Sequence, residues 1–171
     1  MINKKNLNFK SILKEVVTTL ILIFIIANVL SYFRAPNLNS QTLPQISTTL
    51  IDGTEFSTNN YHDKPILIHI WATWCPTCKL EASNIEKISK HFNVITFAVK
   101  SGNNAEINNY LKQHDLHFKT INDNMSYHAN TFKVSAYPTT FIYDKNHQLI
   151  FSEVGYTSTL MLYLKMLWVS I

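Results

Sequence analysis

"WATWCPTCKLE", residues 71–81, holds both cysteines of the 171-residue chain, Cys75 and Cys78, with two of its three tryptophans beside them. Thiols at this spacing can ligate zinc, close an inert disulfide, or cycle between dithiol and disulfide. Structural zinc normally takes about four Cys/His ligands. The chain has no second Cys-x-x-Cys, and its seven histidines show no His-x-x-x-His pair, so no metal is expected. An inert staple would close a tiny loop and constrain little unfolded-chain entropy. Redox cycling is the reading that remains, and it needs no cofactor, because two sulfurs hold the electron pair.

The flanks assign roles to the two thiols. "PILIHIW" (Pro65–Trp71) is a short apolar run of the kind buried parallel strands require. From Cys75 the period changes. Cys78, Ala82, Ile85, Ile88 and Phe92 follow helical spacing, with Lys and Glu between them. A strand therefore turns into a helix that opens at Cys75. Helix N-terminal amides stabilise an anion, so Cys75 is expected to ionise readily and act as nucleophile. Pro76 fits the first helical turn, where its missing N–H has no intrahelical partner. Cys78, one turn further in, would resolve the mixed disulfide.

The rest of the chain supplies a sheet around this unit. Ile46–Phe56 carries an Asp52-Gly53 turn between β-branched flanks, a hairpin signal. Asn93–Val99 reads as a second buried strand and Ala105–Gln113 as a helix with Ile107, Tyr110 and Leu111 inward. "FKTIND" is a short strand and Met125–Phe132 a weak helix. "TTFIYD" and "LIFSEVG" form an antiparallel pair around the turn Asp144-Lys145-Asn146. Ser158–Trp168 is a closing helix with Leu160, Leu164, Leu167 and Trp168 inward. Strands alternating with helices predict an α/β fold with a central mixed sheet flanked by helices.

Composition is globular, at 46% hydrophobic and 15% charged residues, which excludes a disordered chain. The net charge of +4 comes from scattered lysines and gives no reason to invoke nucleic acid. Four of those lysines, Lys4, Lys5, Lys10 and Lys14, precede Val16–Phe33, a run without charge, Pro or Gly. Eighteen helical residues reach roughly 27 Å, close to a bilayer's hydrocarbon thickness. The basic excess before the run places the N-terminus in the cytoplasm and the rest across the membrane. A cleaved signal peptide is the alternative, but the run is long for one and no A-x-A site follows. The expected organisation is a basic N-terminus (1–15), a single-pass anchor (16–33), a linker (34–44) and one domain (45–171). That domain would face an oxidising compartment such as the bacterial periplasm, held on the inner membrane.

"WATWCPTC" after an apolar strand resembles the active site of the thioredoxin superfamily. Sixty-three positions after Cys75, "AYPTTFIYD" is similar to that superfamily's second signature, a cis-proline before a strand. The resemblance implies a cis bond at Pro138, preceded by Tyr137, facing the cysteines and presenting backbone to a substrate chain. It implies substrate contacts at Trp74, Pro76, Tyr137 and Pro138. The membrane-anchored periplasmic branch, which includes TlpA-like and ResA-like proteins, is the most similar, and its suppressor-of-copper-sensitivity D group most of all. In ResA-like proteins an acidic residue three after the second cysteine assists proton movement; here that is Glu81. His69 stands where cytosolic thioredoxin has an Asp, either as a proton relay or as a hydrogen-bonded core residue. The branch implies exchange of disulfides with substrate proteins, as a reductase fed by a DsbD-type transmembrane electron donor. A protein disulfide oxidase and a Cu(I)-binding dithiol module are the alternatives.

Overall fold

The structure, a computed structural model, describes residues 9–34 and 41–171. The chain divides into two compact units, Met1–Arg34 and Ala35–Ile171. The first is a single 26-residue helix, α1 (Phe9–Arg34). Thr18 and Thr19 donate their hydroxyls to the carbonyls of Lys14 and Glu15 one turn back, so neither hydroxyl needs an outside partner. Ile12, Leu13, Val16, Val17, Ile21, Leu22, Ile23, Ile25 and Ile26 are exposed. Among the described residues no helix is long and apolar enough to cross a membrane. The expected span at 16–33 falls partly on side chains, those of 20, 24 and 27–33, that lie outside the described residues, as do Lys4, Lys5 and linker residues 35–40.

The second unit is built on a five-stranded sheet of order β5-β4-β3-β6-β7. Its strands are β3 (Ile66–Trp71), β4 (Asn93–Val99), β5 (Lys119–Asp123), β6 (Thr139–Tyr143) and β7 (Leu149–Val154). β3, β4 and β5 run parallel, and β6 and β7 run antiparallel to their neighbours. Alternation along β3 sends its residues to two cores. Leu67 and Trp71 join Cys75, Cys78, Ile85, Ile88, Leu162 and Met166 on one face. Ile66, Ile68 and Ile70 join Phe97, Phe132 and Phe141 on the other. The helices are α2 (Pro76–Ser89), α3 (Asn104–Gln113), α4 (Tyr127–Thr131) and α5 (Thr159–Ser170). α3 starts with a full capping box, Asn103 and Glu106 each bonding the other's backbone N–H.

An N-terminal strap crosses the second face. The chain at Gln41–Leu43 lies along the start of β7, with Leu149 N–H donating to the Gln41 carbonyl and Leu43 N–H to that of His147. Contacts of the domain thus begin inside the stretch read as linker. The chain then forms the hairpin β1 (Ser47–Thr49) and β2 (Glu55–Ser57), burying Leu43, Ile46, Leu50 and Phe56. Gly53 takes φ +90° at the turn, and Asp52 accepts from Thr54 N–H. Ile51 N–H donates to the Thr120 carbonyl of β5 at the opposite edge.

The closing helix corrects one expectation. Leu162 and Met166 are its buried residues, whereas Leu160, Leu164, Leu167 and Trp168 are exposed. Nearly every position of α5 is apolar, so periodicity does not single out a face. Packing against α2 selects the i, i+4 pair at 162 and 166. Lys165 turns toward Glu153 of β7 to form an ion pair. α4 is also shorter than Met125–Phe132, because Ser126 adopts a left-handed φ of 58° and leaves Met125 exposed.

Leu162→Ala is expected to cost about 2–5 kcal/mol, as a buried truncation does, and Leu164→Ala less than about 1 kcal/mol. Urea unfolding of the two variants checks which face of α5 is packed.

Candidate active site

The site forms where β3 ends. Ala72 to Trp74 turn the chain, and Cys75 N–H closes the turn on the Ala72 carbonyl at 3.2 Å. Two bonds fasten the turn to the end of β4: Thr73 N–H to Ser101 Oγ at 3.0 Å and Trp74 Nε1 to the Lys100 carbonyl at 3.1 Å. Cys75 is the N-cap of α2 and Pro76 its first residue. Cys78 N–H donates to Cys75 Sγ at 3.2 Å, which is the bond a thiolate there would need.

Cys75 and Cys78 are joined as a disulfide, with Cα atoms 5.3 Å apart. Both are buried, Cys78 more deeply. The Tyr137–Pro138 bond is cis, and the Tyr137 carbonyl lies 3.6 Å from Cys75 Sγ. Gly155 N–H takes the Pro138 carbonyl at 2.8 Å, tying this loop to the end of β7. The Trp74 ring meets the Tyr137 ring edge-on at 5.7 Å and is half exposed; Pro76 is exposed and Pro138 buried. Trp71 is a core residue, packed on Tyr110 and Phe118. The structure thus brings Trp74, Cys75, Pro76, Cys78, Tyr137 and Pro138 to one end of the sheet.

Glu81 sits one turn below Cys78 and is wholly buried. Its Oε1 accepts Thr157 N–H at 3.0 Å, while Oε2 has no partner among the described residues. Burial pushes this carboxyl up to about 8; the Thr157 bond opposes that and nearby Glu153 adds to it. A carboxyl there exchanges a proton with a thiol at little cost, since an ordinary cysteine titrates at about 8.5.

His69 is buried and makes a 2.9 Å bond from Nδ1 to Thr140 Oγ1. Burial pushes it down to about 3, so it is neutral at physiological pH, a hydrogen-bonded core residue. Its neighbours extend the pattern. Thr120, Thr96, His69, Thr140 and Glu153 stand side by side on β5, β4, β3, β6 and β7. They form one polar row through the apolar face that houses the cysteines. Sequence reading misses this row, because only the strand register reveals it. Among the described residues no group of three or more His, Cys, Asp or Glu is placed to hold a metal ion.

Comparison with known proteins identifies the scaffold. The Redoxin family profile matches residues 38–163. The chain belongs to the Redoxin family. It is 28% identical over 141 residues to a thioredoxin-like protein of Haemophilus influenzae, covering 81% of this chain and 84% of that one. It is 28% identical over 112 residues to the thiol-disulfide oxidoreductase ResA of Geobacillus kaustophilus, covering 63% and 64%. A secreted thiol-disulfide isomerase of Corynebacterium glutamicum superposes with a TM-score of 0.69 at 18% identity, covering 75% of this chain and 84% of that one. A redoxin with a Cys-x-x-Cys disulfide at a helix N-terminus is a thiol–disulfide oxidoreductase.

Burial of Glu81 has a stability signature. With a native value near 8 against 4.5 in a free chain, the folded state binds more protons than the unfolded one between those values. The contribution of Glu81 to stability therefore falls as pH rises through that window. Below pH 6.5 the depressed His69 opposes this slope, so urea midpoints measured from pH 6.5 to 8 are expected to decline more steeply for the wild type than for Glu81→Gln.

Proposed function

We propose that this protein is a membrane-anchored, extracytoplasmic thiol–disulfide oxidoreductase that reduces disulfides in client proteins. The observation that carries it is Cys75 Sγ, held at the start of α2 by the Cys78 N–H and faced by the Tyr137 carbonyl. In the reduced protein the Cys75 thiolate attacks one sulfur of a client disulfide, and the other leaves as a thiolate. Cys78 then gives its proton to Glu81 and attacks Cys75 Sγ, which expels the client's second sulfur. Two electrons have passed to the client, and the Cys75–Cys78 disulfide remains, the state seen here. The reverse direction uses the same carboxyl as an acid, protonating Cys78 as it leaves.

The client docks along the groove between Trp74, Pro76 and the Tyr137–Pro138 backbone, where an extended chain meets an open carbonyl. Recharging takes two electrons and two protons from a DsbD-type membrane donor. The uncharged run from Val16 to Phe33 within a 26-residue helix, with lysines before it, supports the anchor. A secreted relative of the same fold supports an extracytoplasmic domain. Membership of the suppressor-of-copper-sensitivity D group rests on "RAP", "ATWCP" and "EVGYT".

A full-length Cys78→Ala variant expressed in its host is expected to accumulate mixed disulfides through Cys75, which mass spectrometry would identify. Cys75→Ser should capture nothing and lose insulin reduction. Alkaline carbonate should leave the wild type in the membrane pellet. Release into the supernatant sinks the anchor, and an absence of Cys75 adducts sinks the exchange mechanism.

A further inference from the structure

β7 is an edge strand, yet Glu153, near its C-terminal end, does not behave as an edge residue. Register places Glu153 beside Thr140, and Thr140 beside His69, so Glu153 shares the face of Phe151 and of the cysteine core. Its side chain is 21% exposed and pairs with Lys165, 16% exposed. Lys165 is the sole charged residue of α5 and turns inward to make this contact. A partly buried ion pair recovers its desolvation cost poorly, and the pair stands at the end of a row that already spends burial on threonines and a histidine. General stability is a weak reason for it.

Its position supplies a better one. Glu153 lies four residues before Thr157, whose N–H holds Glu81. Between them Gly155 is tied to Pro138, and Thr157 is tied through its carbonyl to Asn84 of α2. The segment from 153 to 157 therefore lies along the middle of α2, where it meets Glu81 and Asn84, and the nearby Glu153 carboxylate pushes the Glu81 carboxyl further up. We propose that Glu153, fixed by Lys165, is a positioning residue for thiol–disulfide exchange: its carboxylate acts on Cys78 through Glu81. This rests on the proton role given to Glu81 above.

A fixed negative charge makes loss of the Glu81 proton harder, and the cation of Lys165 opposes that effect. α2 offers Cys78, β3 the neutral His69, β7 Glu153 and α5 Lys165. Tyr163 of α5 is engaged with His91 and Phe92 at the far end of α2. Tyr110 of α3 packs on Trp71. Glu153 and Lys165 are the charges of opposite sign that can set the carboxyl in opposite directions.

The test is the pH dependence, from pH 5 to 10, of the rate at which the reduced full-length protein in detergent reduces di-eosin-labelled glutathione disulfide. Glu153→Gln is expected to lower the midpoint governed by Glu81 by on the order of one pH unit. Lys165→Met should raise it, and Lys165→Arg should keep the wild-type value. Glu81→Gln should remove that midpoint altogether. A midpoint that survives Glu81→Gln overturns the proton role of Glu81 itself. A midpoint that vanishes in Glu81→Gln but stays unmoved in both Glu153→Gln and Lys165→Met overturns the role of the pair. Opposite shifts are not expected of a pair that only braces α5 against β7, and the isosteric glutamine keeps the readout open if the methionine variant folds poorly.

Discussion

The active end of the molecule depends on one junction, where a buried strand stops and a helix begins within four residues. That junction puts a sulfur where the first helical amides point. Cys78 N–H donates to Cys75 Sγ because Cys75 occupies the N-cap, a position normally filled by an oxygen-bearing side chain. A thiolate there does the work of a capping oxygen, so ionisation and helix termination support one another. The bonds from Trp74 to Lys100 and from Thr73 to Ser101 keep the junction seated on β4.

The same face of the sheet carries Glu81, and its setting is opposite in kind. Cys75 is served by an amide at a helix end, whereas one turn beyond Cys78 stands a carboxyl kept out of water. Burial of Glu81 gives it a proton affinity close to that of a thiol. The polar row from Thr120 to Glu153 lies in the same layer; Thr120 bonds Thr96 and His69 bonds Thr140 across strands, while Glu153 pairs with Lys165.

How far the sequence disclosed this depends on the kind of signal. β3, α2 and β4 were legible because hydrophobic period changes sharply at Cys75 and the apolar runs are short and bounded. The hairpin was legible from Asp52-Gly53. The cis bond at Pro138 followed from family likeness, since X-Pro chemistry alone favours trans. The inward face of α5 was misread because leucines occur on both sides of that helix. Glu153 and Thr140 were invisible as site neighbours, because register between strands is a tertiary property that no local pattern encodes. The role of His69 was left open between relay and core, and its bond to Thr140 decides for the core.

The strap from Gln41 to Ser57 touches both borders of the sheet, at Leu149 on one side and Thr120 on the other. Open sheet borders capture extended segments in search of hydrogen bonds. With each border interrupted by its own chain, the sheet offers fewer unpaired backbone groups to such segments. Protection of both borders is thereby written into a segment that lies across the sheet from the cysteines.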